Sequence, residues 1–310
     1  MSDHLSGFFD LQVNGYAGLD FNSDSYSHDD LKQLCQRLKN DGVSKILATV
    51  ITAPIPEMVV RISRIAKFVD EDREIAEIIP GIHIEGPFIS AFSGYVGAHP
   101  VAAVRPATID TAKLLVDAGL GHVKLMTLAP ESDDDCQVTR WLSDNKVIVA
   151  GGHSDASLDC LRKAIDAGLR LFTHLGNGCP PTLPRHDNII QRVLSLADRL
   201  AISFIADGHH VPRFALKNYL SIVPAENVII VTDAISAAGL GPGRYQLGSQ
   251  TVEVDEAGAA WSSDRTHFAG SAATMPTMVD VLKSIGVGSE LIKRWTCQNP
   301  AYVMDGSNCR

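Results

Sequence analysis

The chain has 310 residues, of which 45% are hydrophobic and 20% charged, with a formal net charge of -9. That is enough apolar chain for one large domain with a sizeable core. The acidic balance, without any Lys/Arg cluster, argues against a nucleic-acid partner or an anionic membrane surface, so an anionic ligand has to be held by a few local positive groups.

The first strand-like run is Phe8 to Val13. Asp29 to Asn40 reads as a helix, with Leu31, Leu34 and Leu38 on one face, ended by Asp41-Gly42. Ser44 to Thr52 is β-branched and apolar, and Pro56 to Asp70 is a helix with proline in its first turn. Ile78 to Ile84 is the next strand, followed by a long Gly-containing loop from Ser90 to Pro106. Asp110 to Ala118 is helical, His122 to Leu128 a strand, Asp133 to Asp144 a helix with acidic residues at its start, and Lys146 to Gly152 a strand. Ser157 to Ala167, Asn188 to Asp198 and Pro212 to Ile222 read as helices. Between them Leu169 to His174, Leu200 to Ala206 and Asn227 to Thr232 read as strands. A β-hairpin is expected around residues 240–266, helices over Pro276 to Ile285 and Ser289 to Thr296, and a frayed polar tail over 305–310.

About eight strands alternate with helices, and several are apolar throughout, as strands of a helix-covered parallel sheet are. At this length the pattern predicts a single (β/α)8 barrel over 1–310. An open doubly wound sheet is the alternative, but neither a GxGxxG nor a Walker pattern is present. Six scattered cysteines without a CxxC pair fit free thiols in a reducing cytoplasm. Met1-Ser2-Asp3-His4 carries no basic region or long apolar run, so no signal peptide is expected. No uninterrupted apolar segment is long enough for a bilayer.

Barrel chemistry collects at the C-terminal ends of strands. There the sequence places Gln12 and Asn14, His83 and Glu85, His153 and Asp155, His174, then Asp207, His209 and His210, and finally Asp233. His83 and Glu85, at i and i+2, point to one side of their strand; a plain buried hydrogen-bonded pair is the simpler alternative there. Glu85, His153 and His174 supply one carboxylate and two imidazoles, a set that suits a catalytic zinc with an open position for water. Asp233 is placed to take that water's proton and return it to a leaving group, although an N-cap role would also explain an aspartate there.

The chain resembles the N-acetylglucosamine-6-phosphate deacetylases of the amidohydrolase superfamily. The resemblance rests on Phe9-Asp10-Leu11-Gln12-Val13-Asn14-Gly15, His83-Ile84-Glu85-Gly86-Pro87-Phe88, Gly97-Ala98-His99, Thr127-Leu128-Ala129-Pro130-Glu131 and Gly152-His153-Ser154-Asp155-Ala156. It continues through Thr173-His174-Leu175, Asp207-Gly208-His209-His210-Val211, Val231-Thr232-Asp233-Ala234, Ala269-Gly270-Ser271 and Asn299-Pro300-Ala301. These stretches follow family order from Phe8 to about Ala301. The resemblance implies a barrel of the metal-dependent amidohydrolase type, one divalent metal ion per subunit (Zn2+ first, with Fe2+, Mn2+ or Co2+ as alternatives), and a homodimer. It implies metal ligation by Glu85, His153 and His174 and acid/base work by Asp233. Ala98 and His99 would meet the substrate, and Asn177 and Gly178 would offer backbone N–H groups to its phosphate. Arg185 and His210 would neutralise that phosphate, and Phe268, Ala269 and Gly270 would line the sugar. Gln12 and Asn14 stand where many amidohydrolases carry a second-metal His-x-His, which favours a single metal.

Two departures from the family stand out. Gly176-Asn177-Gly178-Cys179 replaces the usual Phe-Asn-Ala-Met, beside a divergent loop from Pro180 to Asn188. The small β domain usual in the family is expected to be absent or much reduced. The leading expectation is hydrolysis of the N-acetyl group of an amino sugar phosphate. The alternatives are deacetylation of an unphosphorylated amino sugar or N-acyl amino acid, or a catalytically silent sugar-phosphate binder.

Overall fold

The computed structural model describes residues 7–306; the expectations for Met1–His4 and for positions 307–310 of the tail lie outside the described residues. Eight strands pair in chain order into one sheet. They are β1 (Phe8–Val13), β2 (Val43–Ile51), β3 (Gly81–Glu85), β4 (Val123–Leu128), β5 (Ile148–Gly151), β6 (Leu169–Phe172), β7 (Ala201–Ile205) and β8 (Val228–Val231). Every neighbouring pair is parallel, and helices fill the connections. Valine, isoleucine and leucine on both faces make this possible, because the outer face packs on helices and the inner face fills the barrel.

β1 and β8 approach each other and nearly close the barrel. Val13 bridges Ala234 in parallel, and the Asn14 N–H donates to the Ala234 carbonyl at 2.7 Å. Beneath that bridge the seam is made by a side chain. The Asp10 carboxyl accepts from the Thr232 backbone N–H at 3.2 Å and from the Thr232 hydroxyl. The expected (β/α)8 barrel is therefore the fold.

Local choices explain the helices. Ser27 and Asp30 form a reciprocal capping box at the start of His28–Asn40. Thr108, Ser157 and Asn188 cap the helices Ile109–Ala118, Leu158–Ala167 and Ile189–Leu194.

The main differences from the sequence reading are these. Ile78 ends a short helix, Arg73–Ile78, rather than starting a strand, and β3 begins at Gly81. The helix expected from Asp133 starts at Gln137, because Asp135 and Cys136 have φ of 52° and 53° and break it. Asp133 instead caps it from outside, accepting from the Val138 and Thr139 N–H groups at 2.9 and 2.8 Å. The expected hairpin around 240–266 is a three-stranded antiparallel sheet of β9 (Gly243–Leu247), β10 (Gln250–Val254) and β11 (Ala260–Ser262). The last expected helix, Ser289 to Thr296, is α-helical over Ser289–Lys293 and runs on through a wide turn, Arg294–Gln298, into Asn299–Met304. Asn299 holds that end to the barrel through the Ala225 and Val228 carbonyls at 2.8 and 2.7 Å.

Candidate active site

The site lies at the C-terminal ends of the strands, over a polar layer inside the barrel. His83 belongs to that layer and not to the mouth. Its ring sits between Thr127 Oγ1 at 2.8 Å and Thr49 Oγ1 at 3.4 Å, fully buried. Burial pushes its pKa down to about 4, so it is a neutral strut.

Two residues further along β3, Glu85 reaches the mouth. His174 Nε2 lies 2.9 Å from Glu85 Oε1, and His153 Nε2 lies 3.3 Å from the same oxygen. His99 Nε2 is 3.9 Å from Glu85 Oε2. Three imidazoles from three loops thus surround one buried carboxylate. Burial opposes the ionisation of Glu85, but His153 and His174 outweigh it and hold the carboxyl well below its usual range. Burial likewise opposes protonation of His174, yet Glu85 raises its pKa. His99 goes the other way: burial, then repulsion from His153, pushes it down to about 3.

These side chains fit a divalent cation. His153 Nδ1 is 2.7 Å from the Tyr95 carbonyl, which can only accept, so Nδ1 carries the proton. In the neutral ring the lone pair of Nε2 then faces a carboxylate oxygen, an arrangement that a cation between them satisfies. His174 Nδ1 is buried without a partner. Glu85, His99 and His153 can each bring one ligand atom within 4.8 Å of the others. Of the expected trio, His153 and His174 both approach Glu85 Oε1 at the distances given above, while His174 lies outside that close group.

Backbone strain marks the same residues. His153, His174 and Asp233 have φ of 51°, 32° and 50°. Non-glycine residues in the left-handed region cost on the order of 1–3 kcal/mol each and cluster where geometry is imposed by function. The loop carrying His153 is pinned by Glu131, whose oxygens accept from Ser154 Oγ at 2.6 Å and the Asp155 N–H at 2.7 Å. Gly178, at φ 59°, packs so closely on the ring that a Cβ there would sit 2.9 Å from His153 Nδ1. Position 178 therefore has to be glycine here.

Asp233 sits across the mouth in one polar frame with Glu85. Gln12 Nε2 donates to Glu85 Oε1 at 3.0 Å and to Asp233 Oδ1 at 3.1 Å, while Thr173 Oγ1 donates to Gln12 Oε1 at 2.7 Å and fixes the amide. Asn14 Nδ2 donates to Asp233 Oδ1 at 2.7 Å. Desolvation by the surrounding protein, with the negative charge of Glu85 next, pushes Asp233 up to about 6. A carboxylate tuned towards neutrality beside a cation-ready trio is equipped for general acid/base work.

A cavity of about 360 Å³ opens above this floor. Its wall includes Asn14, Glu85, Ala98, His99, His153, His174, Asn177, Gly178, His210, Asp233, Phe268 and Gly270, all of which the sequence singled out. Ala98 offers little through its carbonyl, which accepts from Gln250 Nε2 of β10. His210 is held by Asp207 at 2.7 Å; burial opposes the Asp207 charge, but His210 outweighs it and keeps the carboxyl at about 2. Gln12 lies beneath the cavity, and Ala269 is buried behind its wall with its N–H on the Ala260 carbonyl. Arg185 is exposed on the loop after β6 and does not line the cavity. Among the described residues the wall holds no lysine or arginine. Sequence reasoning missed Tyr95, whose carbonyl carries no sequence signal, and the wall residues Trp261 and His267, brought by β11 and the segment after it.

Fold and site together define a (β/α)8-barrel enzyme of the amidohydrolase type. No protein-family model matches the chain. It is 33% identical over 308 residues to the N-acetylglucosamine-6-phosphate deacetylase of Bos taurus, covering 96% of this chain and 73% of that one. The deacetylase of the same name from Bacillus subtilis (strain 168) is 34% identical over 253 residues, covering 81% of this chain and 62% of the relative. A mutant N-acetyl-D-glucosamine-6-phosphate deacetylase from Mycobacterium smegmatis, solved in complex with N-acetyl-D-glucosamine-6-phosphate, superimposes with a TM-score of 0.87 at 29% identity. That match covers 97% of this chain and 77% of the solved one. The chain belongs to the N-acetylglucosamine-6-phosphate deacetylase family.

Proposed function

We propose that the protein removes the N-acetyl group of N-acetylglucosamine 6-phosphate, giving glucosamine 6-phosphate and acetate, and that Glu85, His153 and His174 hold the one divalent ion it uses, Zn2+ foremost. The observation that carries this reading is the single frame joining Glu85 to Asp233 through Gln12, with two imidazoles converging on the same carboxylate oxygen. A divalent ion in that position supplies Lewis acidity, polarising an acyl carbonyl and making water more acidic. Asp233 takes the proton from the attacking water and returns it to the sugar nitrogen, which cannot leave as an anion. Burial strengthens the ionised Asp233 as a base towards the water, and the proton it takes there is the one it returns to the nitrogen.

His99, at the cavity wall, orients the acyl group while Thr52 Oγ1, 2.9 Å from Nδ1, sets its ring. Asn177 and Gly178 present backbone N–H groups to the phosphate, and His210 opposes its charge. Phe268 and Gly270 flank the sugar, with Ala269 supporting them from behind. Arg185, exposed on the loop after β6, meets the phosphate from outside the cavity on this reading. Cys35, Cys136, Cys160 and Cys179 are free thiols, which suit a reducing cytoplasm, and no described helix is long and apolar enough to cross a membrane. Family resemblance supports a homodimer.

Acetate release from N-acetylglucosamine 6-phosphate by metal-loaded protein tests the reading. Release from neither this compound nor its galacto epimer nor the unphosphorylated sugar overturns it. The missing lysine or arginine in the wall favours a second reading, an unphosphorylated amino sugar as substrate. Arg185→Ala separates the two: it raises KM for a phosphorylated substrate and leaves an unphosphorylated one unchanged.

A further inference from the structure

We infer that Trp261, set over the cavity by the three-stranded sheet, is the platform on which the sugar ring rests and so decides that the substrate is cyclic. The inference rests on the deacetylase reading. The sheet of β9, β10 and β11 is an appendage to the barrel, and β11 delivers its one aromatic side chain to the cavity wall. The indole is fixed from both ends. Its Nε1–H donates to Asp255 Oδ2 at 2.9 Å. Its ring packs on Phe268 with centroids 4.4 Å apart, and Phe268 packs on His210 at 4.9 Å. Backbone pairing of Trp261 with Phe268 holds the two rings together.

The cavity floor is polar and reactive, whereas this wall is aromatic. A pyranose whose acylamino group is held at the floor turns its ring towards that wall, and the C–H face of a sugar suits an indole whose only polar atom is already satisfied. An acyclic N-acyl compound has no such face. Trp261 thus gives the cavity a preference for ring over chain that the ion and Asp233 cannot supply.

The test uses the metal-loaded protein. Of the three tryptophans, only Trp261 lines the cavity; Trp141 packs on the core and Trp295 is buried against the Ala225 carbonyl. Titration with the amine product, glucosamine 6-phosphate, is expected to change the intrinsic fluorescence saturably. The change should vanish in Trp261→Leu and persist in Trp141→Phe. Trp261→Leu is expected to raise KM for the acetylated sugar about tenfold with kcat within about twofold, and Trp261→Phe to restore most of the loss. With an acyclic probe, N-acetylethanolamine phosphate, KM should not respond to either substitution. If wild type turns over the sugar but Trp261→Leu leaves KM unchanged, or weakens the acyclic probe equally, the inference is overturned. If Trp261→Leu does not fold, the fluorescence response of wild type and of Trp261→Phe decides it alone. A wild type inactive on every N-acetyl sugar overturns the deacetylase reading instead.

Discussion

At the residue scale, the proposed function gives Asp233 and the three imidazoles around Glu85 separable roles. Asp233→Asn keeps the hydrogen-bond frame but cannot take a proton, so the rate should fall by about 10²–10⁴ while the metal stays bound. Steady-state kinetics beside metal analysis checks both halves, and a variant that loses its metal would refute the assignment. A base must be ionised to act, so kcat/KM should fall as pH drops through the pKa of Asp233. That value lies near 6 without a cation, and a cation nearby lowers it, so the acid limb is expected at or below about pH 6. The imidazoles divide differently. His153→Ala and His174→Ala should each release the ion, whereas His99→Gln should retain it and lose activity. Because Glu85, His99 and His153 also form a close trio, full loss of metal from His99→Gln would move the ion to that side of Glu85. That Glu85, His153 and His174 meet at one mouth was legible, since each lies at the end of an apolar strand of the expected barrel. What was not legible is how they are held. The positive φ angles of His153 and His174 and the Tyr95 carbonyl on His153 arise from loop conformation, which no side-chain pattern encodes.

At the element scale, strands were legible where β-branched runs met a glycine or an aspartate, and helices where a cap preceded an apolar periodicity. The reading failed where an apolar run was too short to choose. Ile78-Ile79 looks the same at a helix end as at a strand start, and only the following Pro80-Gly81 separates the two. The segment at Asp133 misled for another reason: acidic residues suit a helix start, but Asp133 serves as a cap from outside while Asp135 and Cys136 turn left-handed. The expected barrel implied that β1 closes on β8, but not which side chain makes the seam. Asp10 is structural, joining its own strand to the last one through Thr232. Burial is the dominant cause pushing its pKa up to about 7. The sign follows: the folded chain holds a proton that the unfolded chain releases near pH 4, so the contribution of Asp10 is full below that and is lost as pH rises through 7. Asp10→Asn, which does not titrate, should therefore lie furthest below wild type in unfolding free energy under about pH 4. The gap should narrow towards neutrality, as denaturant melts across that range will show.

At the scale of the whole molecule, the proposed metal site ties together strands that the chain visits far apart. Glu85 ends β3, His153 follows β5 and His174 follows β6, while Gln12 of β1 reaches the same carboxylate. Unfolding any of these units disperses the ligands, so an ion that binds only the assembled trio adds its binding free energy to the stability of the barrel. At a metal concentration a hundredfold above its dissociation constant this amounts to about 2.7 kcal/mol. For a barrel of this size that corresponds to a melting temperature on the order of 5 °C higher than in the stripped protein. Without the ion, the lone pair of His153 again faces Glu85, and the strained loop around it loses the interaction that offsets its left-handed backbone. Chelation should therefore lower the melting temperature, and added Zn2+ should restore it. His153→Ala should melt at the same temperature with and without metal. Differential scanning fluorimetry on wild type and this variant, with metal content measured in parallel, is the check. A wild type indifferent to chelation after demonstrable loss of its ion would mean that the three side chains do not share one cation.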